Sequence, residues 1–186
     1  MRRIRYVVAM SLDGYIAGPE GEADWIIIDP EVDFGAVMAQ FDTYLMGRGT
    51  FEPLTGTRGG GGEKTRTFVF SRTLRQRDHP NVTIVSDNAE DTLASLRAEE
   101  SDKDIWLFGG GRLFRSLLDA GLVDTVEVAI VPVLLGRGIP LLPPRVKRAT
   151  LKLHGHRVYT ESGIVSLEYA VVAEAGEGAT QAGRSK

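Results

Sequence analysis

The sequence contains no cysteine, no long apolar run and no excess of positive charge. The absence of cysteine excludes disulfides, thiolate metal sites and cysteine nucleophiles. No apolar stretch approaches the roughly 20 residues that a membrane helix requires, so we expect no membrane partner. A net charge of −3 argues against a nucleic-acid partner, because such domains present a basic face. These absences predict a soluble, cytoplasmic protein.

The chain is long enough for one domain. Its 186 residues, 42% of them hydrophobic, are enough to bury most of their apolar surface on folding. We predict that residues 1–172 form this domain, and that residues 173–186, which are rich in glycine, alanine and polar residues, form a disordered tail. The glycine-rich segment 55–64 is predicted to be a mobile loop, and together with the loop 17–24 it is a candidate lid.

Strand-length apolar runs alternate with runs that have helical spacing. The predicted strands are 4–10, 43–46, 67–70, 82–85, 105–108 and 125–131, and a terminal hairpin is predicted from 150–159 and 164–172. Predicted helices begin at Asp29-Pro30, with an apolar stripe of Phe34, Val37, Met38 and Phe41, at Ala89 and after Gly111. This order predicts an α/β fold of three layers, in which helices cover both faces of a mostly parallel sheet that ends in an antiparallel hairpin.

Four loops of unusual composition each follow a predicted strand. They are Asp13-Gly14, Gly47–Thr50, Ser71-Arg72 and Gly109–Arg112. The carboxyl ends of parallel strands lie at one edge of a sheet, and ligands of such sheets bind beyond that edge. We therefore expect the four loops to converge on one rim.

The glycine triplet Gly109-Gly110-Gly111 stands between a predicted strand and a predicted helix. Glycines there leave backbone N–H groups accessible at a helix N-terminus, which favours the binding of a phosphate. The alternative is that the glycines only permit a tight turn and close packing. Neither G-x-G-x-x-G nor G-x-x-x-x-G-K-[ST] is present.

Two further pieces of the rim suit phosphate groups. Arg48 and Thr50 at a helix start would offer a charged donor and a hydroxyl to a diphosphate. Ser71 with Arg72 suits a phosphate monoester, because both side chains donate charge-assisted hydrogen bonds to it. Each arginine is equally consistent with a surface ion pair or a solvated side chain. Together the three pieces predict a ligand with a diphosphate and a separate third phosphate, which is the form of NADPH.

Six segments in this order resemble the dihydrofolate reductase superfamily. They are Val8–Ala17, Leu45–Phe51, Val69–Arg72, Ile105–Gly111, Gly121–Asp124 and Val131–Gly136. The resemblance spans residues 4–172 and is nearest to the pyrimidine reductase of riboflavin biosynthesis, the C-terminal domain of a bifunctional deaminase-reductase. It implies a dihydrofolate-reductase-like fold, NADPH as hydride donor and a homodimer.

The resemblance also implies a set of cofactor contacts. At the diphosphate it places Gly47, Arg48, Thr50, Gly109, Gly110, Gly111, Arg112 and Leu113. At the adenosine 2′-phosphate it places Ser71 and Arg72, and at the nicotinamide ring it places Ala9 and Ile16.

The substrate side is defined by fewer residues. Dihydrofolate reductases carry an acid on the first helix that anchors the pterin, and the matching region here contains Glu31 and Asp33. Asp33 and Asp13 are the catalytic candidates, and Trp25 and Glu31 are the substrate-binding candidates. Acids in a first turn also stabilise the helix dipole without a catalytic role, while turn formation and core packing are the alternatives for Asp13 and Trp25.

Some positions depart from the resembling families. Ala129 stands where dihydrofolate reductases carry a threonine, whereas the segment Pro132–Gly136 favours the pyrimidine reductases. The Asp-Pro-x-Leu segment and downstream arginine of that branch are matched only in part, by Glu52–Leu54 and Arg58.

The expected function is an NADPH-dependent reductase that transfers hydride to a small heterocycle, most like 5-amino-6-(5-phosphoribosylamino)uracil reductase. The alternatives are a dihydrofolate reductase and a non-catalytic nucleotide-binding paralogue. No metal site is expected, because His154 and His156 would share a strand face without an evident third ligand.

Overall fold

A computed structural model describes residues 1–55, 65–144 and 148–172. The predicted tail 173–186, residues 56–64 of the predicted glycine-rich loop, and Arg58 within that loop lie outside the described residues.

The described residues form ten strands and four α-helices. The strands are β1 (Ile4–Ser11), β2 (Tyr15–Ala17), β3 (Phe41–Gly47), β4 (Arg66–Phe70), β5 (Thr83–Val85), β6 (Asp104–Gly109), β7 (Thr125–Val131), β8 (Ile139–Pro140), β9 (Thr150–Val158) and β10 (Val165–Val172). The helices are α1 (Phe34–Ala39), α2 (Arg48–Phe51), α3 (Ala89–Ala98) and α4 (Gly111–Asp119), and short 3-10 helices lie at Glu52–Leu54 and Gln76–Asp78.

Eight strands form one sheet in the order β5-β4-β3-β6-β1-β7-β10-β9, and β2 pairs with β8. The first six are parallel, β10 runs antiparallel to β7, and β9 runs antiparallel to β10. This confirms the predicted mostly parallel sheet with a terminal hairpin. The carboxyl ends of the six parallel strands and of β9 therefore share one edge, which we call the carboxyl rim.

One face of the sheet packs against α3 and α4. Ile4 and Tyr6 of β1 are fully buried on this face together with Leu93 of α3 and Phe114 of α4. The Tyr6 and Phe114 rings stack with their centroids 3.9 Å apart. Alternate residues of a strand point to opposite faces, so Arg5 and Val7 point to the other face.

The second face packs against α1. Val7 of β1 and Val37 of α1 pack against a cluster that contains Tyr44 and Trp106. The Trp106 Nε1 group donates to the Val7 carbonyl at 3.0 Å, which satisfies the polar end of the buried indole. Helices on both faces of the sheet confirm the predicted three layers.

The first helix is shorter than predicted. It covers only Phe34–Ala39, and its N-cap is Asp33, whose carboxylate accepts the Ala36 N–H at 2.9 Å. Phe41 begins β3 and packs against Trp106 instead of extending the helix. The segment before the helix is held irregular by Asp29, whose carboxylate accepts backbone N–H groups of Glu31 and Ser162.

Within the described part of the chain, no helix has the length and apolar character needed to cross a bilayer.

Candidate functional site

Glycines at the ends of β3 and β6 form a cradle on the carboxyl rim. A Cβ atom built on Gly47 would lie 3.8 Å from the Gly110 nitrogen, and one built on Gly110 would lie 3.2 Å from Thr50 Oγ1. Gly109 has a φ of +148°, which favours glycine, and the Gly109–Gly110 peptide bond is cis. The structure thus brings together four of the predicted diphosphate contacts, Gly47, Thr50, Gly109 and Gly110.

The third glycine of the triplet has a packing role. Gly111 is buried, and a Cβ atom there would lie 2.7 Å from the Pro140 carbonyl oxygen and 3.1 Å from Pro143 Cδ. It therefore lets β8 approach the start of α4. Gly110 is the N-cap of α4 and makes no side-chain cap, so the first N–H groups of this nine-residue helix lack acceptors within the helix.

Two further residues of this predicted set, Arg112 and Leu113, lie on α4. Arg112 is exposed, whereas Leu113 is half-buried and packs against the core between the sheet and α4. Arg112 is thus available to a ligand through its side chain, and Leu113 forms the floor beside Gly47.

Ser71 builds the turn that presents Arg72. The Ser71 hydroxyl is largely buried and accepts the N–H groups of Thr73 and Leu74 at 3.2 and 3.1 Å. Arg72 is exposed and forms no ion pair with a described residue. The serine therefore orders the backbone, and the guanidinium is left free to meet an anion.

Gln76 braces the same loop, and sequence reasoning missed it. Its amide donates to the carbonyls of His79 and Val82 at 3.1 and 2.7 Å and accepts the Ile84 N–H at 2.9 Å. These bonds fix the connection between β4 and β5 that carries Arg72. Because all three partners are backbone groups, no side-chain pattern in the sequence marks them.

Arginines at the two ends of the sheet differ in their partners. Near the amino ends of the strands, five arginines pair with carboxylates: Arg2 with Asp42 and Glu99, Arg3 with Asp104, Arg5 with Glu127, Arg66 with Glu99, and Arg97 with Asp124. On the rim, Arg72 and Arg112 contact no carboxylate of a described residue, and Arg48 lies 3.9 Å from Glu52 with both side chains about half exposed. Arg72 and Arg112 are therefore cations of the rim that no carboxylate of a described residue contacts.

The predicted nicotinamide contacts lie on β1 and β2. Ala9 is half-buried beside Ala129 of β7, its cross-strand neighbour, and Ile16 is half-buried in β2. Strand β2 pairs with β8, which packs on Gly111. This pairing places the Ile16 segment beside the glycine cradle.

Asp13 links two loops of the rim. Its carboxylate accepts the Ser11 hydroxyl at 2.6 Å and the N–H groups of Leu135 and Gly136 at 3.1 and 2.7 Å. These hydrogen bonds, that from Ser11 foremost, hold the pKa of Asp13 below its usual value. The carboxylate thus acts as an ionised clamp between the β1–β2 and β7–β8 loops.

The two acids near the first helix also have partners. Asp33 caps α1, as described above, and is exposed. Glu31 accepts a hydrogen bond from Arg157 at 2.8 Å, and the two side chains are 54% and 55% exposed. Asp33 and Asp13 thus hydrogen-bond to different segments, Asp33 to α1 and Asp13 to the β7–β8 loop.

Trp25 packs at the carboxyl end of β7. It is half-buried against a cluster formed by Val131, Tyr159 and Ile164, which Ala9 also contacts. Arg157 lies over the Tyr159 ring, with its Cζ 4.6 Å from the ring centroid. Sequence reasoning missed Arg157 and Tyr159, because their place depends on the pairing of β9 through β10 to β7.

Comparison with known proteins agrees with this architecture. The family model of the RibD C-terminal domain matches residues 2–165. The uncharacterized protein YyaP of Bacillus subtilis (strain 168) is 36% identical over 181 residues, which cover 90% of this chain and 94% of YyaP.

Solved structures extend the comparison. The crystal structure of a putative riboflavin biosynthesis protein from Shewanella sp. PV-4 is 27% identical, with a TM-score of 0.77 over 93% of this chain and 100% of that one. Dihydrofolate reductase from Enterococcus faecalis, complexed with NADP(H), has the same fold, with 18% identity and a TM-score of 0.67 over 91% of this chain and 96% of that one. The chain therefore belongs to the RibD C-terminal domain family and has the dihydrofolate-reductase-like fold.

Proposed function

We propose that this protein is an NADPH-dependent reductase that transfers hydride to a small heterocycle, most like the 5-amino-6-(5-phosphoribosylamino)uracil reductase of riboflavin biosynthesis. The observation that carries the proposal is that Arg72 and Arg112, beside the glycine cradle, contact no carboxylate of a described residue. The arginines at the opposite end of the strands are paired with carboxylates. Membership of the RibD C-terminal domain family supports the same class of reaction. By resemblance to the pyrimidine reductases, the proposal includes a cytoplasmic homodimer, which analytical ultracentrifugation would test.

The cradle fits a dinucleotide diphosphate. Gly47 and Gly110 have no side chains to obstruct the space between β3 and β6, and Thr50 and Arg48 stand beside it. The uncapped N-terminus of α4 points free N–H groups toward the same rim, and its dipole favours negative charge. The donor set therefore matches the groups that a diphosphate needs.

Arg72 fits the adenosine 2′-phosphate that distinguishes NADPH from NADH. Its turn is ordered by Ser71 and its loop by Gln76, so the guanidinium extends from a braced backbone. A free arginine can bind a phosphate monoester with two parallel hydrogen bonds.

The cofactor supplies the hydride, and the chain's residues supply orientation and shelter from water. Ala9 presents only a methyl group at this position of β1, and Trp25 packs against the same cluster at the end of β7. Asp13 holds the β1–β2 and β7–β8 loops together. Because Asp13 and Asp33 hold backbone N–H groups within the chain, we assign them positioning roles, with Asp33 capping α1, whereas the Glu31 carboxylate contacts only Arg157 among the described residues.

The test combines binding with turnover. Titration with NADPH and NADH by calorimetry should show binding with a clear preference for NADPH. Loss of reduced-nicotinamide absorbance should then follow addition of 5-amino-6-(5-phosphoribosylamino)uracil and not of dihydrofolate. Absence of NADPH binding would remove the cofactor assignment, and binding without turnover of either compound would favour a non-catalytic nucleotide-binding protein.

A further inference from the structure

Arg157, at the carboxyl end of β9, has no part in the cofactor site described above. Building on the proposed function, we propose that Arg157 binds a phosphate monoester carried by the substrate and that Glu31 is its counterion in the free protein. The proposal rests on where β9 places the residue, how its side chain is held and how weakly it is neutralised.

A single row of residues connects Arg157 to the nicotinamide side. Ala9 of β1 pairs with Ala129 of β7, Ala129 pairs with Ser166 of β10, and Ser166 pairs with Arg157. Laterally paired residues point to the same face of a sheet, with neighbouring strands about 4.8 Å apart, so the Cα atoms of Ala9 and Arg157 are about 14 Å apart. Three small side chains and then an arginine lie along this row. A ligand whose ring lies over Ala9 can therefore extend along the row toward the guanidinium.

The guanidinium is held in place before any ligand arrives. It lies over the ring of Tyr159, which is 8% exposed, and this contact orients the plane of the charged group. Of its five N–H donors, one is bonded to Glu31, and the structure gives the others no acceptor among the described residues. Arg157 is thus an oriented donor with most of its hydrogen-bonding capacity unused.

Its present partner is easily exchanged. The ion pair with Glu31 joins one nitrogen to one oxygen at 2.8 Å, and both side chains are more than half exposed. Exposed pairs of this kind contribute little to stability. Arg157 can therefore release Glu31 to solvent at small cost.

The charges around the residue select the kind of anion. A carboxylate brings only the charge that Glu31 already provides from within the chain, whereas a phosphate monoester brings up to two charges and three acceptor oxygens. Glu168 lies one row nearer to the amino ends on the same face, beside Gly155, and opposes the approach of anions in general. Binding must therefore come from direct contact with Arg157, which a phosphate makes better than a carboxylate.

The test uses three uridine compounds as probes: uridine, uridine 5′-monophosphate and uridine 5′-carboxylate. Each is titrated by calorimetry into the protein, both saturated with NADP⁺ and without it. The wild type should bind the monophosphate at least about tenfold more tightly than uridine, the ratio expected for one charge-assisted hydrogen bond, and should show no such preference for the carboxylate. Arg157→Gln should abolish the preference without changing the affinity for uridine or NADP⁺.

Two further variants sharpen the result. Glu31→Gln should increase the preference for the monophosphate, because it removes the competing carboxylate. Lys152→Gln, which removes an exposed charge near the other end of β9, should leave the preference unchanged. A wild type without preference for the monophosphate, or a preference that survives Arg157→Gln, overturns the proposal. Failure of NADP⁺ to bind counts instead against the proposed function, and the titrations without NADP⁺ still decide the role of Arg157.

Discussion

Replacing Arg72 with alanine separates recognition of the 2′-phosphate from recognition of the rest of the dinucleotide. Arg72 is exposed and forms no ion pair with a described residue. Its truncation should therefore change the free energy of unfolding by less than about 0.5 kcal/mol. The substitution should weaken only the binding of a ligand that brings a phosphate to Arg72.

The expected magnitude follows from the hydrogen bonds that the guanidinium can make. A hydrogen bond to a charged group contributes about 1.5–3 kcal/mol, which corresponds to about a 10- to 150-fold change in affinity. Because Arg72 is exposed, salt screens its charge, and we expect the lower part of this range at physiological ionic strength. NADH lacks the 2′-phosphate, so its affinity should stay within about twofold.

The assay is a fluorescence titration of the reduced nicotinamide, carried out for both cofactors at low and at high salt. The NADPH affinity of the wild type should fall more steeply with salt than that of Arg72→Ala. The matched control is Arg77→Ala in the same loop. The Arg77 guanidinium already has a carboxylate partner, because its Nε lies 3.7 Å from Asp78 Oδ1. Equal losses for NADPH and NADH in Arg72→Ala would refute the assignment, as would an equal effect of Arg77→Ala on NADPH alone.

Three other substitutions test separate parts of the structure. Gly47→Ala should leave the thermal midpoint unchanged, because the new Cβ would meet no atom closer than 3.8 Å. It should nevertheless weaken the binding of NADPH and of NADH by about tenfold each. An unchanged affinity in the titration would place the diphosphate elsewhere. Asp13→Asn should lower the thermal midpoint at neutral pH. The folded protein holds the Asp13 pKa below the unfolded value of about 3.9, so this stabilisation is present above that value and is lost as the pH falls through the folded pKa. Calorimetric scans of the two proteins should therefore converge in acid, and a constant difference at every pH would contradict the clamp. Tyr6→Phe should stabilise the fold by about 1 kcal/mol and raise the thermal midpoint by about 2–4 °C. The reason is that the buried Tyr6 hydroxyl has no hydrogen-bond partner among the described residues, and its burial raises the pKa of the phenol. A loss of stability in urea unfolding would mean that the hydroxyl does form a hydrogen bond.

Sequence periodicity predicted the elements whose contacts are local or repeat regularly. The helix Ala89–Ala98 begins at the predicted residue, and the strand Thr125–Val131 has the predicted bounds. The convergence of the rim loops was also predictable, because parallel strands place their carboxyl ends at one edge.

Features that depend on distant partners were not predictable from local patterns. The sequence at Asp29 predicts the start of a helix. The Asp29 carboxylate instead accepts a hydrogen bond from the N–H group of Ser162, far along the chain, and the helix begins only after Asp33. The sequence predicts that Gly111 belongs to a phosphate-binding loop, but its lack of a side chain allows Pro140 to pack against it. In both cases the decisive contact comes from a segment that no sequence window includes.

The unequal neutralisation of arginines at the two ends of the strands has a kinetic consequence. An anion that contacts Arg72 or Arg112 displaces no carboxylate of a described residue, whereas one that contacts Arg2 or Arg5 must compete with an existing ion pair. A guanidinium without such a partner attracts the phosphates of an approaching polyanion over about a Debye length. The encounter rate of such a ligand should therefore decline as ionic strength rises, while that of an uncharged molecule of equal size should not.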